Sequence, residues 1–89
     1  MSEKLLSINP KGVLRVAIKG NFGGTEITGG TIGPLTSGGT RWVNFFHKKG
    51  GAHSGGQILP GGEFQSDCHS DDLTAFQAVY NAAVEQYSK

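Results

Sequence analysis

Cations and aromatic rings share the same short strand-forming stretches of this chain. Arg15, Lys19, Arg41, Lys48 and Lys49 stand among or beside Trp42 and Phe45, with Phe22 nearby. Guanidinium and ammonium groups neutralise phosphates, and flat rings give surfaces on which unpaired bases stack, each worth roughly 1–3 kcal/mol and tolerant of sequence. The residue set that this chemistry selects is Arg15, Lys19, Arg41, Trp42, Phe45 and Lys48. The same rings are equally suited to a hydrophobic core, since large aromatics are mostly buried.

A second chemistry lies in the stretch 20–40, where Gly-Gly-Thr occurs at 23–25, 29–31 and 38–40. Backbone N–H groups freed by glycine, beside the hydroxyls of Thr25, Thr28, Thr31 and Thr40, can wrap a small anion. The stretch has no Lys placed as in a phosphate-binding P-loop, and no glycine fingerprint of a dinucleotide fold. A small-ligand, nucleotide-like or partner-protein binder, of the kind phages encode as accessory or inhibitor proteins, is the alternative function on this ground.

Zinc chemistry has candidate ligands in His47, His53, Cys68 and His69, with Asp67, Asp71 and Asp72 close in sequence. Paired short spacings such as Cys-x-x-Cys are missing, and the adjacent Cys68 and His69 diverge, so no metal or other cofactor is expected. Cys68 has neither an orienting partner for a histidine base nor an oxyanion-hole context, and no enzymatic activity is expected.

Charge is divided along the chain. Residues 1–60 hold seven Lys and Arg against Glu3 and Glu26, a net +5, whereas residues 61–89 hold five carboxylates against Lys89, a net −4. The net +1 of the whole is too low for a duplex binder but leaves room for a basic face that attracts a single strand. With 36% hydrophobic and 17% charged residues in 89, the composition is that of one folded domain small enough to favour self-association. No apolar run reaches ~20 residues, which predicts no membrane span. The first residues lack a secretory pattern and Cys68 is the sole cysteine, so a reducing, cytoplasmic-type compartment is the expectation.

These groups need elements to position them. Residues 4–8 read as a short strand, followed by an Asn-Pro-Lys-Gly turn into a second strand at 13–19, a hairpin with Arg15 and Lys19 on its outer face. The glycines of 20–40 predict a mobile loop, because ordering paired glycines costs conformational entropy. Residues 40–48 give the strongest strand signal; one face carries Arg41, Val43, Phe45 and His47, the other Trp42, Asn44, Phe46 and Lys48, and the pattern leaves open which is buried. Short strands follow at 57–59 and 63–65. The last segment reads as a helix, with Ser70 as N-cap, Asp71 and Asp72 in the first turn, and a stripe of Leu73, Phe76, Tyr80, Ala83, Val84 and Tyr87. Tyr80 and Tyr87 belong to packing on this reading. The fold class is α+β: an antiparallel sheet of about four strands followed by one C-terminal helix packed on it.

This order of elements, carried by Leu14-Arg15-Val16-Ala17-Ile18-Lys19, Arg41-Trp42-Val43-Asn44-Phe45-Phe46 and residues 72–87, resembles that of single-stranded-nucleic-acid-binding domains of the Whirly and Pur-alpha type. The resemblance implies a homodimer whose curved sheets hold an unpaired strand. The function expected is therefore non-catalytic binding of single-stranded nucleic acid on a basic, aromatic sheet face.

Overall fold

The computed structural model describes residues 4–66 and 72–87. An antiparallel sheet is followed by a C-terminal helix packed on one of its faces, an α+β arrangement. The elements are α1 (Lys4–Ser7), β1 (Leu14–Val16), β2 (Gly20–Phe22), β3 (Thr25–Ile32), β4 (Arg41–His47), β5 (Ala52–Ile58), β6 (Phe64–Ser66) and α2 (Asp72–Tyr87). The strand order is β1-β3-β4-β5-β6. β2 pairs with residues 25–27 of β3 and β1 with residues 30–32, both on the edge of β3 opposite β4. No helix among the described residues is long and apolar enough to cross a membrane.

Two segments differ most from the sequence expectation, and β5 begins at Ala52, ahead of the strand predicted at 57–59. Residues 4–7 form a single helical turn rather than part of a strand, and β1 pairs with β3, so the predicted N-terminal hairpin does not exist. The reason lies in Arg41, whose side chain is fully buried. Its Nε donates to Gly33 O (2.7 Å), Nη1 to Leu5 O (2.8 Å) and Ile8 O (2.7 Å), and Nη2 to Asn9 O (3.1 Å) and Gly12 O (2.6 Å). Carbonyls of a helical turn and the turn after it converge on one cation; those of an extended strand point alternately to opposite sides. All five guanidinium donors are used.

The second difference is the glycine-rich stretch, of which residues 20–32 form a hairpin of strands rather than a loop, while residues 33–40 are the turn-containing connection to β4. It holds β2 and the eight-residue β3, an internal strand of the sheet. β-Branched Thr25, Ile27, Thr28, Thr31 and Ile32 supply the strand propensity. Gly30 is there because α2 lies against the backbone: a Cβ at this position would sit 2.7 and 2.9 Å from the Val79 methyls. A register shift between Ile27 and Gly29 marks a bulge in the pairing with β4.

The core lies between the sheet and α2. Leu14, Val16, Ile27, Ile32, Val43, Phe45 and Ile58 point up from the sheet, Leu5 enters from α1, and Ala75, Phe76, Val79 and Ala83 come down from α2. Phe45 and Phe76 meet with ring centroids 4.7 Å apart and a tilt of 54°. The helix stripe is rotated from the one predicted: Ala75 and Val79 are buried, while Leu73 is exposed. Tyr80 and Tyr87 pack at its margins and donate to Gly62 O (2.7 Å) and Arg15 O (2.6 Å). Asp72 stands in the first turn as predicted; Ser70 and Asp71 lie outside the described residues.

Arg41→Ala strands five carbonyls around a cavity and is expected to lower unfolding free energy by at least about 3 kcal/mol in urea denaturation. Arg41→Lys recovers little, because an ammonium cannot span carbonyls gathered from both sides of a planar fork. Gly30→Ala is expected to cost about 1–3 kcal/mol by overpacking against Val79. Adding Val79→Ala to Gly30→Ala recovers part of that loss if the contact is the cause, and a double-mutant cycle measures it.

Candidate functional site: the open face of the sheet

Strand periodicity converts the burial of Arg41 into a prescription for its neighbours. With Arg41, Val43 and Phe45 facing α2, the residues Trp42, Asn44 and Phe46 must face the opposite way. Among the described residues no element lies over that face, since both helices lie on the core side. Pairing registers align Arg15, Thr31, Asn44 and Ser54 in one row across β1, β3, β4 and β5. Trp42, with Gln57 and Gln65 beside it, forms the row on one side; Phe46, beside Gly29 and Ala52, forms the row on the other. Trp42 is 41% exposed and Phe46 42%. They stand four residues apart, roughly 13 Å along the strand.

The predicted nucleic-acid residues are split by this geometry. Arg41 and Phe45 are corrections: both are 0% exposed, Arg41 saturated by backbone carbonyls and Phe45 packed on Phe76 and stacked on His53 at 5.0 Å, so neither reaches a ligand on the open face. Trp42 and Arg15 lie on the open face, and Lys19 is exposed beyond the end of β1. Phe46, absent from the predicted set, takes the place of Phe45. Alternation alone would have paired Phe46 with Trp42 once the buried face was known.

Lys48 is exposed but engaged. Its Nζ lies 2.8 Å from Glu26 Oε2, and its backbone N–H donates to Glu26 O (3.0 Å). The hydrogen bond and charge of Lys48 hold the Glu26 carboxyl below the usual carboxylate range, and Glu26 in turn raises Lys48. Among the described residues Arg15 forms no ion pair, which leaves it the unneutralised cation within the sheet rows. Burial lowers Arg41 from its ordinary value, but a guanidinium starts so high that it keeps its charge.

The four threonines do not form one ligand loop. Thr25 is buried on the core side and donates to Asp72 Oδ1 (3.1 Å); Thr40 shares a hydrogen bond with Thr36 (2.9 Å) in the turn before β4. Thr28 and Thr31 alone belong to the open face. His47 and His53 have ring centroids 5.9 Å apart, and His47 Nδ1 accepts the Lys49 backbone N–H (3.1 Å). Cys68, His69, Asp67 and Asp71 lie outside the described residues, and no group of three metal-binding side chains occurs among the described ones.

No protein-family model, curated protein or solved structure matches the chain at a significant level. What the open face can do chemically therefore rests on its own residues: stacking by Trp42 and Phe46, hydrogen bonding by Thr28, Thr31, Asn44, Ser54, Gln57 and Gln65, and the charge of Arg15, which has no ion pair among the described residues.

NMR titration of the Glu26 carboxyl is expected to give a pKa below that of an ordinary glutamate, returning toward it in Lys48→Met or at high salt. Because the folded value is depressed, the pair stabilises the protein above the unfolded glutamate pKa. That contribution disappears as pH falls through the folded value.

Proposed function

We propose that this is a non-catalytic protein that holds single-stranded nucleic acid on the open face of its sheet. The observation that carries the reading is the pair of half-exposed rings, Trp42 and Phe46, on the sheet face that no helix covers among the described residues. A buried apolar residue needs no ligand to explain it; two large rings left on a flat, uncovered face, with hydrogen-bonding side chains between them, offer stacking platforms and base-edge partners together.

With Arg41 withdrawn into the core and Lys48 held by Glu26, attraction to phosphate comes chiefly from Arg15, supported at the rims by exposed Lys19 and Lys49. Binding then depends more on stacking than on charge. Single strands release about 0.7 counterion per neutralised phosphate, so one or two contacts give a slope of log K against log salt of about −1.

Titrating short oligodeoxynucleotides while following Trp42 fluorescence tests this, since Trp42 is the sole tryptophan. Quenching at micromolar protein, with that shallow salt slope, is the expected result. Trp42→Ala and Phe46→Ala should each weaken binding by about 1–3 kcal/mol, whereas the surface change Gln77→Ala on α2 should not. The reading fails if no oligonucleotide alters the fluorescence, or if sedimentation shows a dimer that buries Trp42 and excludes nucleic acid.

A further inference from the structure

The left edge of the sheet is split. β1 ends at Val16 and β2 begins at Gly20, and both pair with β3, so residues 17–19 swing away where β3 passes through Thr28 and Gly29. The bulge between Ile27 and Gly29 falls at the same level on the β4 side. The result is a notch of about 360 Å³ bordered by Arg15, Thr28, Gly29, Thr31, Phe46 and Gln86. Gln86 closes its lower side by accepting the Ala17 N–H (2.9 Å) and donating to Ala17 O (2.6 Å).

Its borders differ in chemistry. Arg15 brings a guanidinium with no ion pair among the described residues. Asn44 Nδ2 donates to Thr31 Oγ1 (3.4 Å), which leaves the Thr31 hydroxyl proton free to be donated onward. The Thr28 hydroxyl is engaged only at 3.5 Å, with Phe46 O. Gly29 adds no side chain, and a Cβ there would meet the Phe46 ring at 3.5 Å, so that ring stands beside empty space. A forked cation with two hydroxyls suits a phosphate group, and an adjacent half-exposed ring suits a base. The volume is at the small end of ligand sites, fit for one nucleotide unit rather than a large cofactor.

Resting on the reading of the open face as a single-strand platform, we infer that this notch is its phosphate subsite: one nucleotide's phosphate sits between Arg15 and the hydroxyls of Thr28 and Thr31, with its base on Phe46. The subsite gives the bound strand a fixed position on a face whose other contacts are tolerant of sequence and register.

Isothermal titration with adenosine 5′-monophosphate, adenosine and inorganic phosphate, beside a short oligothymidylate, tests it. The monophosphate is expected to bind at least about tenfold more tightly than adenosine, and Arg15→Gln should abolish that difference while leaving adenosine unchanged. Gly29→Val fills the notch and should weaken the monophosphate likewise, with Gly29→Ala, whose Cβ makes only ordinary contact with Phe46, as the milder variant. Arg15 is exposed, so its variant remains folded and informative if Gly29→Val does not. Oligothymidylate binding with no advantage of monophosphate over adenosine overturns the subsite and spares the platform. Monophosphate binding that Arg15→Gln removes, without oligothymidylate binding, supports the subsite and overturns the platform.

Discussion

One buried cation organises this domain. Arg41 sits at the start of β4 with every donor satisfied by a backbone carbonyl: two from α1 and its end, two from the turn after it, and one from the residue following β3. A guanidinium carried into a core with no carboxylate partner among the described residues is tolerable only when its hydrogen bonding is complete, because each unmet donor keeps its desolvation cost. Each of the five carbonyls presents the negative end of its own dipole to the guanidinium, so oriented peptide groups balance the charge. The consequence is a tie between three parts of the chain that share little else.

That tie sets the parity of β4, and parity sets the outer surface. A strand that must point residue 41 inward points 42, 44 and 46 outward, and no local preference of Trp42 or Phe46 can reverse this without expelling the cation. The helix covers one face and can cover only one. The sheet is left with rings and amides on its far side, and a notch at its split edge. The chain thus divides its charged and aromatic residues between two places, Arg41 and Phe45 in the core and Arg15, Trp42 and Phe46 on the open face of the sheet.

Much of the fold was legible in the chain. Alternation at Leu14, Arg15 and Val16, the β-rich run from Arg41 to His47, and the glycine-free C-terminal segment each mark their element directly. The errors have local causes. Leu5, Leu6 and Ile8 are too few to show a period, and the helical turn they adopt is selected by the distant Arg41. Paired glycines at 29 and 30 read as a flexible loop because flexibility is the property glycine shows locally; its other property, the space it leaves for Val79, exists only once α2 is in place. Of the residues predicted for the site, Arg15 and Trp42 lie on the open face, whereas Phe45 is buried and its neighbour Phe46 is exposed.

By itself the sequence determined the class of the protein: strands with a period of two, then a helix with a period near 3.6, which can bury their apolar sides only against each other. It also determined that each face of the stretch 40–48 would carry a cation and at least one aromatic ring. Only the tertiary structure decided which of those residues went inside. The hydropathy of the two β4 faces is nearly balanced, one cation and one or more aromatics on each, so the decision passed to hydrogen-bond geometry. Five carbonyls, drawn from residues 5 to 33, converge at a single point, and a planar five-donor guanidinium is the group that can satisfy them there.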